Sequence, residues 1–224
     1  MIEDQTYSNW RLIDYRPAIS ELLPEVLTPY LTRGQTALDI GCNAGSVAFF
    51  LSKRGVRVLG IDLNADAIQK ARDRAVRECF IESPQFEVAD ILKSKGFGEF
   101  DVVLLIRTLT CFPITSELEG ILNVAYAHLK DSGVIYIHDF MTTPESERYR
   151  VGYLEGKRLG WRSGNFPVRT PSGSLLFVAH HHSEEELKQI TVPYETLHLT
   201  YHMSLSMNGN ACRMFEFTGR KLCR

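Results

Sequence analysis

The chain has 224 residues, of which 44% are apolar and 23% charged, with a formal net charge of −2. Those values suit one globular domain with a full core, and the near-neutral charge lacks the electrostatic footprint of a nucleic-acid binder. No run approaches the ~18 apolar residues of a membrane span, MIEDQTYSNW is no signal peptide, and Cys42, Cys79, Cys111, Cys212 and Cys223 lack C-x-x-C pairing, so a reduced, cytoplasmic monomer or homodimer is expected, with neither nucleic acid nor membrane as partner.

From Pro17 to Leu31 the apolar residues Ile19, Leu22, Leu23, Val26, Leu27, Tyr30 and Leu31 fall at helical spacing, with Pro24 set to kink or split the helix. Tyr7, Trp10, Tyr15 and Arg16 form a small aromatic and basic cluster ahead of it. Thr36 to Gly45, TALDIGCNAG, then reads as an apolar strand with an acid near its end, followed by a glycine-punctuated turn that opens a helix. Gly41 and Gly45 permit a sharp turn, and Asn43 is one of the few other residues that tolerate positive φ. A dinucleotide loop reads G-x-G-x-x-G and presents N–H groups to a pyrophosphate, whereas this one reads D-x-G-x-x-x-G. By charge complementarity Asp39 points to a nucleoside bearing an ammonium and a sulfonium rather than phosphates.

A helix over Gly45 to Arg54 leads to a second strand, Val56 to Ile61, which ends at Asp62. That acid lies about 20 residues beyond the turn, where βαβ nucleoside folds set a carboxylate against ribose hydroxyls. A third unit follows: a helix over Ala65 to Cys79 capped by Asn64, and a strand over Gln85 to Ala89 ending at Asp90-Ile91. Phe100 to Ile106 is almost continuously apolar, as a mid-sheet strand covered on both faces should be. Ser116 and Glu119 predict a capping box, Asp131-Ser-Gly133 a turn, and Val134 to Asp139 a fifth strand. Repeated strand-then-helix units predict a parallel sheet.

The rhythm breaks between Met141 and His182, a span read as an irregular substrate lid. It carries Arg148, Arg150, Lys157, Arg158, Arg162 and Arg169 against Glu145, Glu147 and Glu155, which suits an anionic or aromatic substrate or a solvated mixed surface. His180 to His182 lack metal-ligand spacing and paired carboxylates, so they read as loop and no metal is expected. Ser183 with Glu186 is a second capping box, and Asn208-Gly209 joins two closing strands, Glu195 to Met207 and Ala211 to Thr218.

The pattern Asp39-x-Gly41-x-Asn43-x-Gly45 resembles motif I, D/E-x-G-x-G-x-G, of the class I S-adenosylmethionine-dependent methyltransferases, with a departure at Asn43; the likeness extends over most of residues 36–220. It implies an α/β, Rossmann-like, seven-stranded, mostly parallel sheet with helices on both faces and an antiparallel C-terminal hairpin. One domain is expected, with an N-terminal helical segment (1–35), a cofactor core (36–140), a lid (141–182) and a C-terminal helix and hairpin (183–224). The implied cofactor is S-adenosylmethionine, with S-adenosylhomocysteine as product. Its implied shell is Asp39, Gly41, Cys42, Asn43, Gly45, Asp62, Leu63, Asp90, Ile91 and Arg107, with Asp90 accepting from the adenine amino group.

Substrate contacts are expected from Tyr15 and Arg16 in the N-terminal segment and from Tyr153 and Trp161 in the lid. His138 and Asp139, at the end of strand five, are the candidate bases, although strand alternation puts them on opposite faces. Arg107 stands where the resembling magnesium-dependent catechol methyltransferases need an acid, which argues against a catalytic metal. Residues 106–109 also lack the N/D-P-P-Y-like turn of enzymes that methylate base amino groups or protein glutamine, so a small-molecule acceptor is expected. An RNA or protein methyltransferase, and a non-catalytic regulatory subunit that binds the same cofactor, remain open alternatives.

Overall fold

The computed structural model describes residues 7, 25–78, 80, 82–94, 96–170, 172–206 and 209–222. The core runs β1 Thr36–Ile40, α1 Ser46–Ser52, β2 Arg57–Asp62, α2 Ala65–Arg77, β3 Gln85–Val88, β4 Phe100–Ile106, α3 Thr115–Ala127 and β5 Leu129–Phe140. An inserted segment of α4 Glu147–Arg158, β6 Asn165–Arg169 and β7 Leu175–His180 follows, then α5 Glu184–Thr191, β8 Tyr194–Leu205 and β9 Ala211–Lys221. Seven strands form one sheet in the order β3-β2-β1-β4-β5-β9-β8, with β6 and β7 in a separate two-stranded sheet. Neighbours from β3 through β5 pair parallel, and β9 pairs antiparallel with both β5 and β8. The expected mostly parallel seven-stranded sheet with its antiparallel ending is therefore what forms.

Strand alternation divides the core into two layers. Leu38, Ile40, Val103, Leu105, Ile135 and Ile137 face α3 and α5, where Leu118, Ile121, Leu187 and Ile190 close over them. Ala37, Val102, Leu104, Val134 and Tyr136 face the opposite way, against Phe49, Leu51, Ile68 and Ala71 of α1 and α2. Each Leu or Ile so enclosed contributes about 1.5–3 kcal/mol relative to exposure. With both faces covered, β1 and β4 hold the carboxyl ends of the sheet rigidly in place.

Several local expectations are revised. Of the span from Pro17 to Leu31, residues 25–30 form a 3-10 helix, Glu25–Tyr30, and the positions before Glu25 lie outside the described residues. Helix α3 starts at Thr115 with Ile114 at its cap, so Ser116 falls inside the first turn and its capping box does not form. Strand β5 begins at Leu129 and runs through Asp131-Ser-Gly133 with a register shift against β4, Ser132 taking φ 59°. Among the described residues no helix separates β3 from β4, so the strand-then-helix repetition is incomplete there. The span read as an irregular lid instead forms a helix and a hairpin, in which Tyr149, Tyr153 and Phe166 pack on Phe140, Cys212 and Met214.

The box at α5 forms as expected: Ser183 Oγ accepts from Glu186 N–H at 3.2 Å while Glu186 Oε2 accepts from Ser183 N–H at 2.7 Å. Ser183→Ala should cost about 1 kcal/mol, read as a lower urea midpoint at unchanged slope.

Candidate functional site

The site begins where β1 ends. Gly41, Asn43 and Gly45 all take positive φ, at 76°, 51° and 79°, which turns the chain back on itself before α1. The turn hangs from β2 by two hydrogen bonds, Gly41 and Cys42 N–H to Ile61 C=O at 2.8 and 3.1 Å. A Cβ at Gly41 would stand 2.7 Å from Thr108 Oγ1, and one at Gly45 2.6 Å from the Phe86 ring. The glycines thus make room for the protein's own side chains, a constraint that loop composition did not reveal.

Two carboxylates flank this turn. Asp39 is 3% exposed, and its Oδ2 has no hydrogen-bond partner among the described residues. Burial, then the neighbouring Asp62, raises its pKa to about 7. Asp62 is raised as well, by burial, and is held back by the N–H groups of Asn64 and Asn43, each 2.8 Å from one of its oxygens. Asp62 therefore braces the turn and α2 together, while Asp39 is left without a counter-charge.

Asp90 follows β3. Both its oxygens lie 2.7 Å from the hydroxyl of Tyr7, Leu92 N–H donates to Oδ1 at 3.1 Å, and Lys93 Nζ stands 2.9 Å from Oδ2. Burial pushes Asp90 up, but the bonds from Tyr7, Lys93 and Leu92 outweigh it and hold the acid below its ordinary range. Tyr7 also stacks on Phe112, ring centroids 4.9 Å apart. Sequence reasoning put Tyr7 in an aromatic cluster but missed this bond, which spans more than eighty residues and has no local signal. Ile91 is buried beside Asp90, and Leu63 packs partly buried against the same core layer.

The ends of β4 and β5 carry the remaining candidates. Arg107 sits at φ 55°, its N–H bonded to His138 C=O at 2.7 Å and its Nη1 buried without a partner among the described residues. His138 Nε2 lies 3.3 Å from His202 Nε2, and burial, then His202 and Arg107, lowers its pKa to about 3. Asp139 has no exposed surface. Its Oδ2 accepts from Leu109 and Thr110 N–H at 2.7 and 3.3 Å, and its Oδ1 from Phe140 N–H at 2.8 Å. Burial raises its pKa to about 7 against the pull of those bonds. Its geometry ties β5 to the turn after β4.

In the lid, Tyr153, Trp161, Arg150 and Lys157 border a cavity of about 490 Å³ beside Pro144. Tyr15 and Arg16, expected to contact substrate, lie outside the described residues.

A family model described as a methyltransferase domain matches residues 38–135. A structure titled as a SAM-dependent methyltransferase from Methanosarcina mazei superposes with a TM-score of 0.83 at 27% identity, covering 90% of this chain and 99% of that one. The domain match over residues 38–135 and this likeness together support a class I S-adenosylmethionine-dependent methyltransferase. Among curated proteins, the chain is 33% identical over 118 residues to phosphoethanolamine N-methyltransferase 1 of Triticum aestivum, covering 51% of this chain and 22% of that protein. It is 26% identical over 120 residues to the ubiquinone biosynthesis O-methyltransferase of Acinetobacter baylyi, covering 53% of this chain and 49% of that protein. The chain thus spans about a fifth to a half of the length of these curated relatives.

The family's cofactor is S-adenosylmethionine, and the residues present fit it. A buried carboxylate oxygen without a partner, beside a second acid, is a receptor for positive charge; phosphates there would meet two like charges. In the chain's described residues no helix is long and apolar enough to cross a membrane.

Asp139 offers a substrate nothing to touch in this conformation. Asp139→Asn should destabilise the protein by about 1.5–3 kcal/mol, because an amide NH2 would face a backbone donor. Thermal and urea unfolding will show the loss; a group acting as a base would instead lower turnover at unchanged stability.

Proposed function

We propose that this chain transfers the methyl group of S-adenosylmethionine to a small-molecule acceptor by in-line displacement. The observation that carries the reading is the enclosed Asp39 carboxylate, unpartnered at Oδ2 and set beside Asp62. When bound, the cofactor supplies an electrophilic methyl group on a sulfonium.

In this reading Asp39 holds the donor's positive end by charge. Asp62, fixed by Asn43 and Asn64, has lone pairs left for the ribose hydroxyls, and Asp90 receives the adenine edge in place of the Tyr7 hydroxyl. Acceleration then rests on alignment at contact distance and on exclusion of water rather than on a strong base. His138, with a pKa near 3, is a weak proton acceptor at neutral pH, and Asp139 is occupied by backbone donors.

The lid supports a small acceptor carrying an anionic or aromatic part. Arg150 and Lys157 line the cavity with Tyr153 and Trp161, so one wall attracts charge and another offers ring faces. The relatives named for phosphoethanolamine and for ubiquinone biosynthesis support an acceptor of metabolite size.

Two measurements test this reading. An acid with its pKa at about 7 is neutral below that pH and charged above it, so affinity for the cationic cofactor should fall as pH drops, approaching tenfold per unit. Calorimetry should show that slope with S-adenosylmethionine, a shallower one with the uncharged-sulfur product, and a flat, weak profile in Asp39→Asn; a pH-independent wild type defeats the assignment. For the acceptor, labelled methyl should enter small molecules from cell extract. Arg150→Ala and Lys157→Ala should each raise KM for an anionic acceptor about twofold to fivefold without changing cofactor affinity. Label entering macromolecules alone would overturn the acceptor class.

A further inference from the structure

His180, His182 and Glu186 present ligand atoms that all lie within 4.8 Å of one another. The two histidines are fully buried. Alternation from His180, the last residue of β7, into the extended residues after it puts them on one side, their rings 4.7 Å apart, while His181 turns away and bonds Tyr153 Oη through Nδ1 at 2.7 Å. Glu186 comes from the first turn of α5. Three adjacent histidines lack ligand spacing when read as a triplet; the spacing that matters is the i, i+2 pair with the acid four residues on.

Each imidazole is set up as a ligand. Asn165 Nδ2 donates to Pro113 C=O at 3.0 Å, which turns the amide oxygen toward His180 Nδ1 at 2.7 Å. An oxygen there accepts only, so the His180 proton sits on Nδ1 and the lone pair on Nε2. That is the second-shell arrangement that fixes a metal-binding tautomer. His180 Nε2 lies 3.3 Å from Glu186 Oε2, near the ligand-to-ligand edge of ~3.3 Å that follows from tetrahedral bonds of ~2.0–2.1 Å. Neither nitrogen of His182 has a hydrogen-bond partner among the described residues, an expensive state for a buried polar ring.

Glu186 keeps other partners: Arg162 on Oε1 and Ser183 N–H on Oε2 at 2.7 Å. These orient the carboxylate so that Oε2, with a second lone pair, faces the imidazoles. The Arg162 side chain is 22% exposed, so water solvates part of its charge.

We propose that His180, His182 and Glu186 bind one divalent transition-metal ion, zinc by the chemistry of two imidazoles and one carboxylate, as a clasp that fastens the lid to the body. The position suits a clasp. Backbone bonds from His182 N–H to Phe140 C=O and from Thr142 N–H to His182 C=O, each 2.9 Å, join it to the end of β5, and Asn165 joins it to the loop after β4. None of the three ligands is a residue assigned to the cofactor, so this proposal stands apart from the methyl-transfer reading.

The test uses tag-free full-length protein and metal ions alone as probes. Elemental analysis should find about one zinc per chain. Stripping with a chelator should lower Tm and expose the lid to protease, zinc should restore both, and cobalt should give the visible absorption of a tetrahedral site. His182→Leu and Glu186→Gln should lose the metal, the second keeping its helix cap, since glutamine serves in a capping box. The proposal is overturned if the wild type holds only trace metal and shows no cobalt spectrum. It is equally overturned if His182→Leu proves as stable as the zinc-treated wild type or more so, the result for an unpartnered buried ring replaced by an apolar one. Should His182→Leu not fold, metal content and Tm of Glu186→Gln decide on the same terms.

Discussion

Two acids at the ends of adjacent parallel strands, enclosed and short of positive charge, are the constraint around which this structure is arranged. β1 and β2 pair in register, so Asp39 and Asp62 emerge on the same edge of the sheet, one residue row apart from Ile40 and Ile61. The turn after β1 answers only one of them: its Asn43 N–H donates to Asp62, while Asp39 Oδ2 is left bare. Desolvation on that scale is tolerated only in a frame that cannot relax, and the double-sided packing of β1 and β4 supplies it. Phe86 and Thr108 fill the space under the glycines, so the turn cannot slump onto the acids and neutralise them with its own donors.

Much of this frame was legible because the signals are local. Apolar runs marked β1, β2 and β4, Asn64 caps α2 by accepting from Ala67 N–H at 3.0 Å, and the Ser183 and Glu186 pair closes its box. Asn43 takes the left-handed conformation that the turn requires. Failures arose where a local signal was ambiguous by one residue or where the decisive partner is remote. Ser116 is a good capping residue in the wrong register, because packing of Leu118, Ile121 and Ala125 starts α3 a residue earlier. The turn-like Asp131-Ser-Gly133 is absorbed into β5 as an irregularity, since the pairing on either side of it overrides the turn preference.

The candidate site shows the same division. Asp39 and Asp62 follow from spacing, but what Asp139 does follows from Leu109 and Thr110, thirty and twenty-nine residues earlier, which reach it only once β4 and β5 are paired. His138 looks like a base in a string of letters; enclosure beside His202 on a strand across the sheet takes that capacity away. The lid's composition suggested irregular chain, yet its aromatics and the pairing of β6 with β7 build a small layer of their own on Phe140 and Met214.

Tyr7 already occupies both oxygens of Asp90. In the proposed reading, a nucleoside base that docks on that acid exchanges one donor for another instead of filling a vacancy, and its net gain is the difference between two hydrogen bonds.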